Sequence, residues 1–215
     1  MKYLIVSGGE IPDEFAKQVV LKGGYEVVMA ADHGMEFLYR AKILPDIIVG
    51  DFDSVDEEIL DYYRGQQQID VCARPTEKDD TDTECAIREA IARGAKEITI
   101  IGGTGTRIDH MLGNIALLGI GLEEDVKIAL LDLHNRIRMI DRPITLRKSE
   151  QYGKYISLIP FSDQVTGVTL TGMKYPLENY TMSGFGSLGV SNEIVEPEAQ
   201  ISLTGGRLLI METRD

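Results

Sequence analysis

Through its first 134 residues the chain alternates short runs of β-branched and aliphatic residues with stretches of helical periodicity, and this alternation narrows the possible folds most. Tyr3–Val6, Glu26–Ala30, Ile47–Val49, Glu97–Ile101 and Val126–Leu131 read as buried parallel strands. Between them, the pattern predicts helices near Gly34–Ala41, Asp56–Arg64, Thr81–Arg93 and Asp109–Gly119. Thr81 followed by Glu84 has the form of a capping box, and Gly94 is placed to end that helix. Strand–helix alternation of this kind implies a doubly wound, mostly parallel sheet.

From residue 135 the texture changes. Ile137–Asp141, Ile144–Arg147, Tyr155–Ile159, Val165–Leu170, Ala199–Leu203 and Arg207–Glu212 are short and several alternate apolar with polar. Pro143, Ser162-Asp163, Thr171-Gly172 and Thr204-Gly205-Gly206 separate them as turns. The expectation is therefore an α/β domain over 1–134 followed by an all-β domain, a small sandwich or barrel, over 135–215. A chain of 215 residues, 43% hydrophobic, can bury a core in each.

Charge divides the same way. Residues 1–134 carry 26 acidic and 13 basic side chains, and residues 135–215 carry 9 of each, so the whole net charge of −13 lies in the first part. Such a domain repels nucleic acid, which excludes groove reading. Clustered carboxylates suit a hard divalent cation, through which a polyphosphate could approach. No apolar run reaches the roughly 18–20 residues that span a bilayer. The opening Met1–Val6 reads as a strand, not a signal peptide, and two cysteines without metal-ligand spacing, Cys72 and Cys85, suit a reducing cytoplasm.

Three segments carry the chemistry. In Gly50-Asp51-Phe52-Asp53-Ser54 the two aspartates end a predicted strand. If that segment is extended, both carboxylates face one site while Phe52 turns inward. A solvated, helix-capping turn is the plainer explanation for a lone pair of this kind. The second segment, Lys78-Asp79-Asp80-Thr81-Asp82, places Asp82 in a first helical turn, where the dipole favours a carboxylate. Asp32, ending the second predicted strand, adds a third acid at the same edge, where open α/β sheets bind ligands. The third segment runs from Gly102-Gly103 through Gly105, Arg107, Asp109 and His110, a glycine-rich loop between strand and helix that suits phosphate, although it has neither the Walker A ending nor the dinucleotide fingerprint.

Taken together, these segments resemble the thiamine pyrophosphokinase family over nearly the whole chain. The likeness rests on Ala30-Ala31-Asp32, Pro45 through Ser54, Lys78 through Asp82, Gly102-Gly103 through Arg107, Asp109-His110 and Asn114. In the second half it rests on Ser157 through Pro160, Gly172 through Leu177 and Gly189 through Glu193. The resemblance implies diphosphate transfer from ATP to the hydroxyl of thiamine, giving thiamine diphosphate and AMP. It further implies a Mg-ATP-binding first domain, a thiamine-binding second domain, and a homodimer whose thiamine sites lie between subunits. It assigns Asp51, Asp53 and Asp82 to Mg²⁺ and phosphate, with Asp32 nearby as a fourth catalytic acid. Lys78, Asp79, Thr81, Gly102, Gly103, Arg107, Asp109, His110 and Asn114 fall to the nucleotide. Ser191 and Asn192 fall to thiamine, and Tyr180 and Phe185 offer stacking surfaces beside them. Either Asp82 or Asp53 could take the hydroxyl proton. The family's Asp-Gly-Gly is here Asp32-His33-Gly34, so if that first glycine has a positive φ, either His33 tolerates it or the loop shifts. Transfer to another alcohol, or nucleotide binding without turnover, are the rival readings.

Overall fold

The computed structural model describes residues 1–53, 55–73, 75, 80–105 and 107–215, which form two compact units, Met1–Leu133 and His134–Asp215.

Among the described residues the first unit holds six strands, β1 Lys2–Val6, β2 Val27–Ala31, β3 Ile47–Gly50, β4 Asp70–Ala73, β5 Glu97–Ile101 and β6 Lys127–Leu131. Its five helices are α1 Asp13–Lys22, α2 Gly34–Ala41, α3 Glu57–Arg64, α4 Asp82–Ala92 and α5 Ile108–Glu123. All its strand pairs are parallel: β1 lies between β2 and β5, β3 and β4 continue beyond β2, and β6 lies beyond β5. Side-chain alternation divides the core between the two faces. Leu4, Val6, Ala30 and Ile48 pack with Ala16 of α1, Met35 and Leu38 of α2, and Leu60 and Tyr63 of α3. Helix α4 lies against β1, β2 and β3, and touches α5. Strands β1, β2, β3 and β5 are largely buried because both faces carry helices, which is why they read as apolar runs.

Within the first unit two described elements, α1 and β4, lie outside the expected set. Helix α1 has only a modest apolar stripe, with Ala16 as its one buried residue, and it opens at Pro12 without a side-chain cap. Strand β4 is an edge strand with Asp70, Val71 and Ala73 exposed, so it carries no apolar run to find. Thr81 does cap α4, accepting from the Glu84 amide at 3.3 Å, while the Glu84 carboxylate pairs with Arg88.

The second unit is a sandwich of two antiparallel sheets. One contains β7 Asn135–Ile140, β14 Leu208–Thr213, β9 Tyr155–Pro160 and β12 Asn192–Glu193 in that order. The other contains β8 Ile144–Arg147, β13 Glu198–Ser202, β10 Gln164–Thr171 and β11 Leu177–Ser183. Ile140, Ile156, Leu158, Val168, Ile201, Leu208 and Ile210 form the core between the sheets. The α/β unit and the all-β sandwich are thus the expected fold class.

The core-facing row of β14 runs Leu208, Ile210, Glu212, so it ends on a carboxylate that is 1% exposed. Glu212 accepts from Arg136 at 2.6 and 2.8 Å, from Arg138 at 2.7 Å and from the Tyr152 amide at 3.0 Å. Burial pushes its carboxyl up, but the Arg136 hydrogen bonds, the Arg138 charge and the Tyr152 amide outweigh this and hold it below its ordinary 4.5. A pKa lowered by folding adds stability above the unfolded value, and that stability is lost as pH falls through the folded value. Glu212→Gln should therefore cost roughly 3 kcal/mol at neutral pH, because two arginines lose their counter-charge. In denaturant titrations the gap between variant and wild type should narrow as pH is taken below about 4.

Candidate active site

In the first unit the strand order reverses between β1 and β5, and open α/β sheets bind ligands outside such a switch point. The two loops that leave the sheet there are locked together. The Ser7 amide donates to the Ile101 carbonyl at 2.8 Å, and the Gly9 amide donates to the Gly102 carbonyl at 2.9 Å. Gly102 has φ +74°, and a Cβ there would lie 2.3 Å from the Ser7 carbonyl oxygen. A Cβ on Gly9 would lie 2.3 Å from the Gly102 oxygen. Only glycine fits either position.

Beside these loops is a hollow of about 750 Å³, within the range of small-molecule sites. Of the residues assigned from the sequence, Asp32, Thr81, Asp82, Gly102, Gly103, Arg107, Asp109, His110 and Asn114 line it. The Asn114 amide, 9% exposed, donates to the Gly103 carbonyl at 2.9 Å and so fixes the glycine loop from α5. Thr104 donates to Asp132 at 2.7 Å and anchors the same loop from beyond β6. Arg107 and Asp109 are exposed and grip each other at 2.6 and 3.2 Å. That hydrogen-bonded pair, with the His110 amide, holds the Asp109 carboxyl at about 2. An anion entering here would compete with Asp109 for the Arg107 fork.

Asp51 and Asp53 are not among the lining residues, and the extended geometry expected for them does not occur. Strand β3 stops at Gly50, and Phe52 has φ +63°, so the chain turns between the two aspartates. Phe52 is buried, as expected, and its core packing holds that turn. The Asp51 carboxylate accepts from the Asp53 amide at 3.2 Å. The acids nevertheless converge on the strand ends. A Cβ on Gly50 would lie 3.4 Å from the Asp82 carboxylate, which sets Asp82 beside the Asp51 segment. Asp53 is close enough to help raise the pKa of His33. Among the described residues no three acidic, histidine or cysteine side chains form a metal cage. Lys78 and Asp79, and with them Ser54 and Thr106 of the motifs, lie outside the described residues.

In the loop after β2, His33 does not have to tolerate a positive φ. His33 has φ −54°, in ordinary helical space, and the positive φ of +46° falls on Asp32. Aspartate tolerates that conformation better than most residues do. His33 Nδ1 is 2.7 Å from the Glu36 carboxylate, and Nε2 is 3.8 Å from Asp32. The Glu36 hydrogen bond raises its pKa against the opposing effect of burial, with the Asp32 charge adding to it.

The sequence reading missed Ser7, Gly8, Gly9, Glu10 and Thr83, all of which line the hollow. The available signal was a glycine pair directly after the first strand, at the same edge as the acids.

In the second unit Tyr180 lies on β11, partly exposed, and Phe185 is fully exposed in the following turn. Ser191 has φ +61° and its amide donates to Ser157 Oγ at 3.1 Å. Asn192 is 5% exposed, and its side chain is fully engaged. Its oxygen accepts from the Tyr175 and Glu193 amides, and its nitrogen donates to the Tyr175 carbonyl at 2.8 Å and reaches Met173 Sδ at 3.5 Å. It holds the 173–175 and 191–193 turns together and presents no spare polar group.

Residues 21–130 match the family described as "Thiamin pyrophosphokinase, catalytic domain", and residues 143–208 match "Thiamin pyrophosphokinase, vitamin B1 binding domain". A thiamine pyrophosphokinase from Bacillus subtilis (strain 168) is 35% identical over 192 residues, covering 87% of each chain. One from Oryza sativa subsp. japonica is 31% identical, covering 76% of this chain and 64% of its own. The crystal structure of the Bacillus subtilis enzyme superposes with a TM-score of 0.87 at 34% identity, covering all of both chains. That of an Enterococcus faecalis thiamin pyrophosphokinase family protein does so at 0.85 and 30%, again covering all of both. With both halves matched in order and a relative this similar along most of its length, the chain belongs to the thiamine pyrophosphokinase family.

Proposed function

We propose that this protein is a thiamine diphosphokinase, which moves the diphosphate group of ATP onto the hydroxyl of thiamine and releases AMP. The observation that carries this reading is the hollow at the β1/β5 switch point, where a glycine cradle and α5 face Asp32 and Asp82. Main-chain amides at Gly102 and Gly103 and the start of α5 suit the phosphate chain. Arg107, once released from Asp109, is positioned to take charge from it. Attack by the hydroxyl on the β-phosphorus needs a nearby proton acceptor, and the position of Asp82 in the first turn of α4, beside the hollow, supports it in that role. Asp53 is the other acid open to it.

The donor chemistry fits Mg²⁺, which binds through one or two carboxylates together with substrate phosphates and needs no all-protein cage. Asp82 and Asp51 or Asp53 would hold it, and when bound it would neutralise the phosphates and favour an in-line geometry. In the second unit Tyr180, Phe185 and Ser191 offer aromatic and polar contacts for thiamine, with Asn192 shaping the turn. Their exposure supports a homodimer in which this surface of one subunit completes the hollow of the other. No described helix is long and apolar enough to cross a membrane, and a cytoplasmic location agrees with Cys72 and Cys85 forming no disulfide.

Incubating the protein with ATP, Mg²⁺ and thiamine should yield thiamine diphosphate and AMP, and chelation should abolish both. ADP with thiamine monophosphate would mean attack at the γ-phosphorus and would overturn this placement of the nucleotide. Asp53→Asn and Asp82→Asn should each lower kcat by about 100-fold or more, some 2.7 kcal/mol in the barrier, with melting little changed. For the dimer, Asp82→Asn mixed with Phe185→Ala, Ser191→Ala after subunit exchange should recover roughly a quarter of wild-type activity. Activity no higher than that of the separate variants would place each site within one chain.

A further inference from the structure

Ser7, the first residue after β1, and Thr83, in the first turn of α4, meet at 2.6 Å between their hydroxyl oxygens. They are 76 positions apart in sequence, and each is 7% exposed. Both line the hollow. A threonine in a first helical turn ordinarily satisfies its hydroxyl on its own backbone, so a bond across to another strand's loop is a departure from local habit.

Counting protons makes the pair informative. Two hydroxyls carry two protons, and one of these is consumed between them. Neither oxygen has another hydrogen-bond partner among the described residues. The second proton must therefore find an acceptor, because an unsatisfied buried donor costs about 1–3 kcal/mol. Ser7 is the better placed to deliver it. It stands in the interlocked loops, its amide bonded to Ile101 and its carbonyl against Gly102, at the cradle where an anion would lie. Thr83 stands behind, on the helix that carries Asp82.

We propose that Thr83 donates to Ser7, and that Ser7 donates its own hydroxyl proton to a phosphate oxygen of the bound nucleotide. Ser7 is then a substrate-binding residue and Thr83 its positioning residue. The Thr83 hydrogen bond polarises the Ser7 hydroxyl and fixes its rotamer. The same contact sets the α4 N-terminus, and so Asp82, at a fixed distance from the glycine cradle. This inference rests on the hollow being the nucleotide site.

The test is calorimetric titration with MgATP, alongside steady-state kinetics and melting. Ser7→Ala should weaken ATP binding and raise KM for ATP about ten-fold, the loss of one hydrogen bond to a charged acceptor, while KM for thiamine stays within two-fold. Thr83→Val, which keeps shape, should weaken ATP binding three- to five-fold, and Thr83→Ser should restore it. Because Thr83 acts through Ser7, the double variant should bind ATP no more weakly than Ser7→Ala alone. Equal Thr83→Val effects with and without Ser7 would reduce Thr83 to a packing role and overturn the proposal, as would ATP affinity within two-fold of wild type in Ser7→Ala. Should Ser7→Ala fail to fold, Ser7→Cys keeps the volume with a much weaker donor, and the same criteria apply. Wild-type protein that binds ATP but makes no thiamine diphosphate would defeat the functional reading while leaving the hydroxyl pair intact.

Discussion

The site depends on how two parallel strands leave the sheet side by side. Because β1 pairs with both β2 and β5, the chain exits β1 and β5 at neighbouring points and must turn away in different directions. Ordinary side chains would keep those loops apart. Gly9 and Gly102 let them close to hydrogen-bonding distance, so the backbone itself becomes the floor of the hollow. Asn114 and Thr104 then fix the β5 loop from two other elements, which leaves a cradle with little freedom to relax. Preorganisation of this kind matters for phosphoryl transfer, where positioning and charge compensation supply most of the rate.

The electrostatic arrangement explains why an acidic unit can serve a polyanion. Asp32, Asp51, Asp53 and Asp82 come to the carboxyl ends of β2 and β3 and the start of α4, beside the hollow but not collapsed into a closed cage. An open set of carboxylates suits a cation that arrives with its phosphates. Arg107 is held by Asp109, which keeps a guanidinium at the rim without leaving it loose in solution. Exchange of one carboxylate for a phosphate would keep the number of charge-assisted bonds nearly constant, so a change of partner by the arginine would cost little.

What the sequence disclosed follows from what periodicity can encode. Strands buried on both faces, such as β1 and β5, announce themselves as apolar runs; β4, exposed along its length, does not. The glycine loop after β5 was legible because Arg107 and Asp109 follow it, whereas Gly8-Gly9 had no charged neighbour to mark it beyond Glu10. Asp51 and Asp53 were rightly drawn to the strand ends, but their relative orientation depends on the φ of Phe52, which packing decides. Asn192 has a structural role that its motif does not announce, since its side chain engages Tyr175, Glu193 and Met173 within the fold. The Ser7–Thr83 contact spans 76 residues and leaves no local pattern at all.

The loop after β2 illustrates how a local departure is absorbed. Position 33 is a histidine in the helical region, and the positive φ of this loop falls on Asp32. The added side chain needs room, and it finds it over Gly8, where any Cβ would come within 2.9 Å of the His33 Cβ. Gly8 is therefore required by His33 for space, not by its own backbone angle. In return the site gains an imidazole held by Glu36 and biased toward its charged form by Asp32 and Asp53. An imidazole is thereby fixed beside Asp32 and over Gly8, at a point where a glycine would leave only backbone.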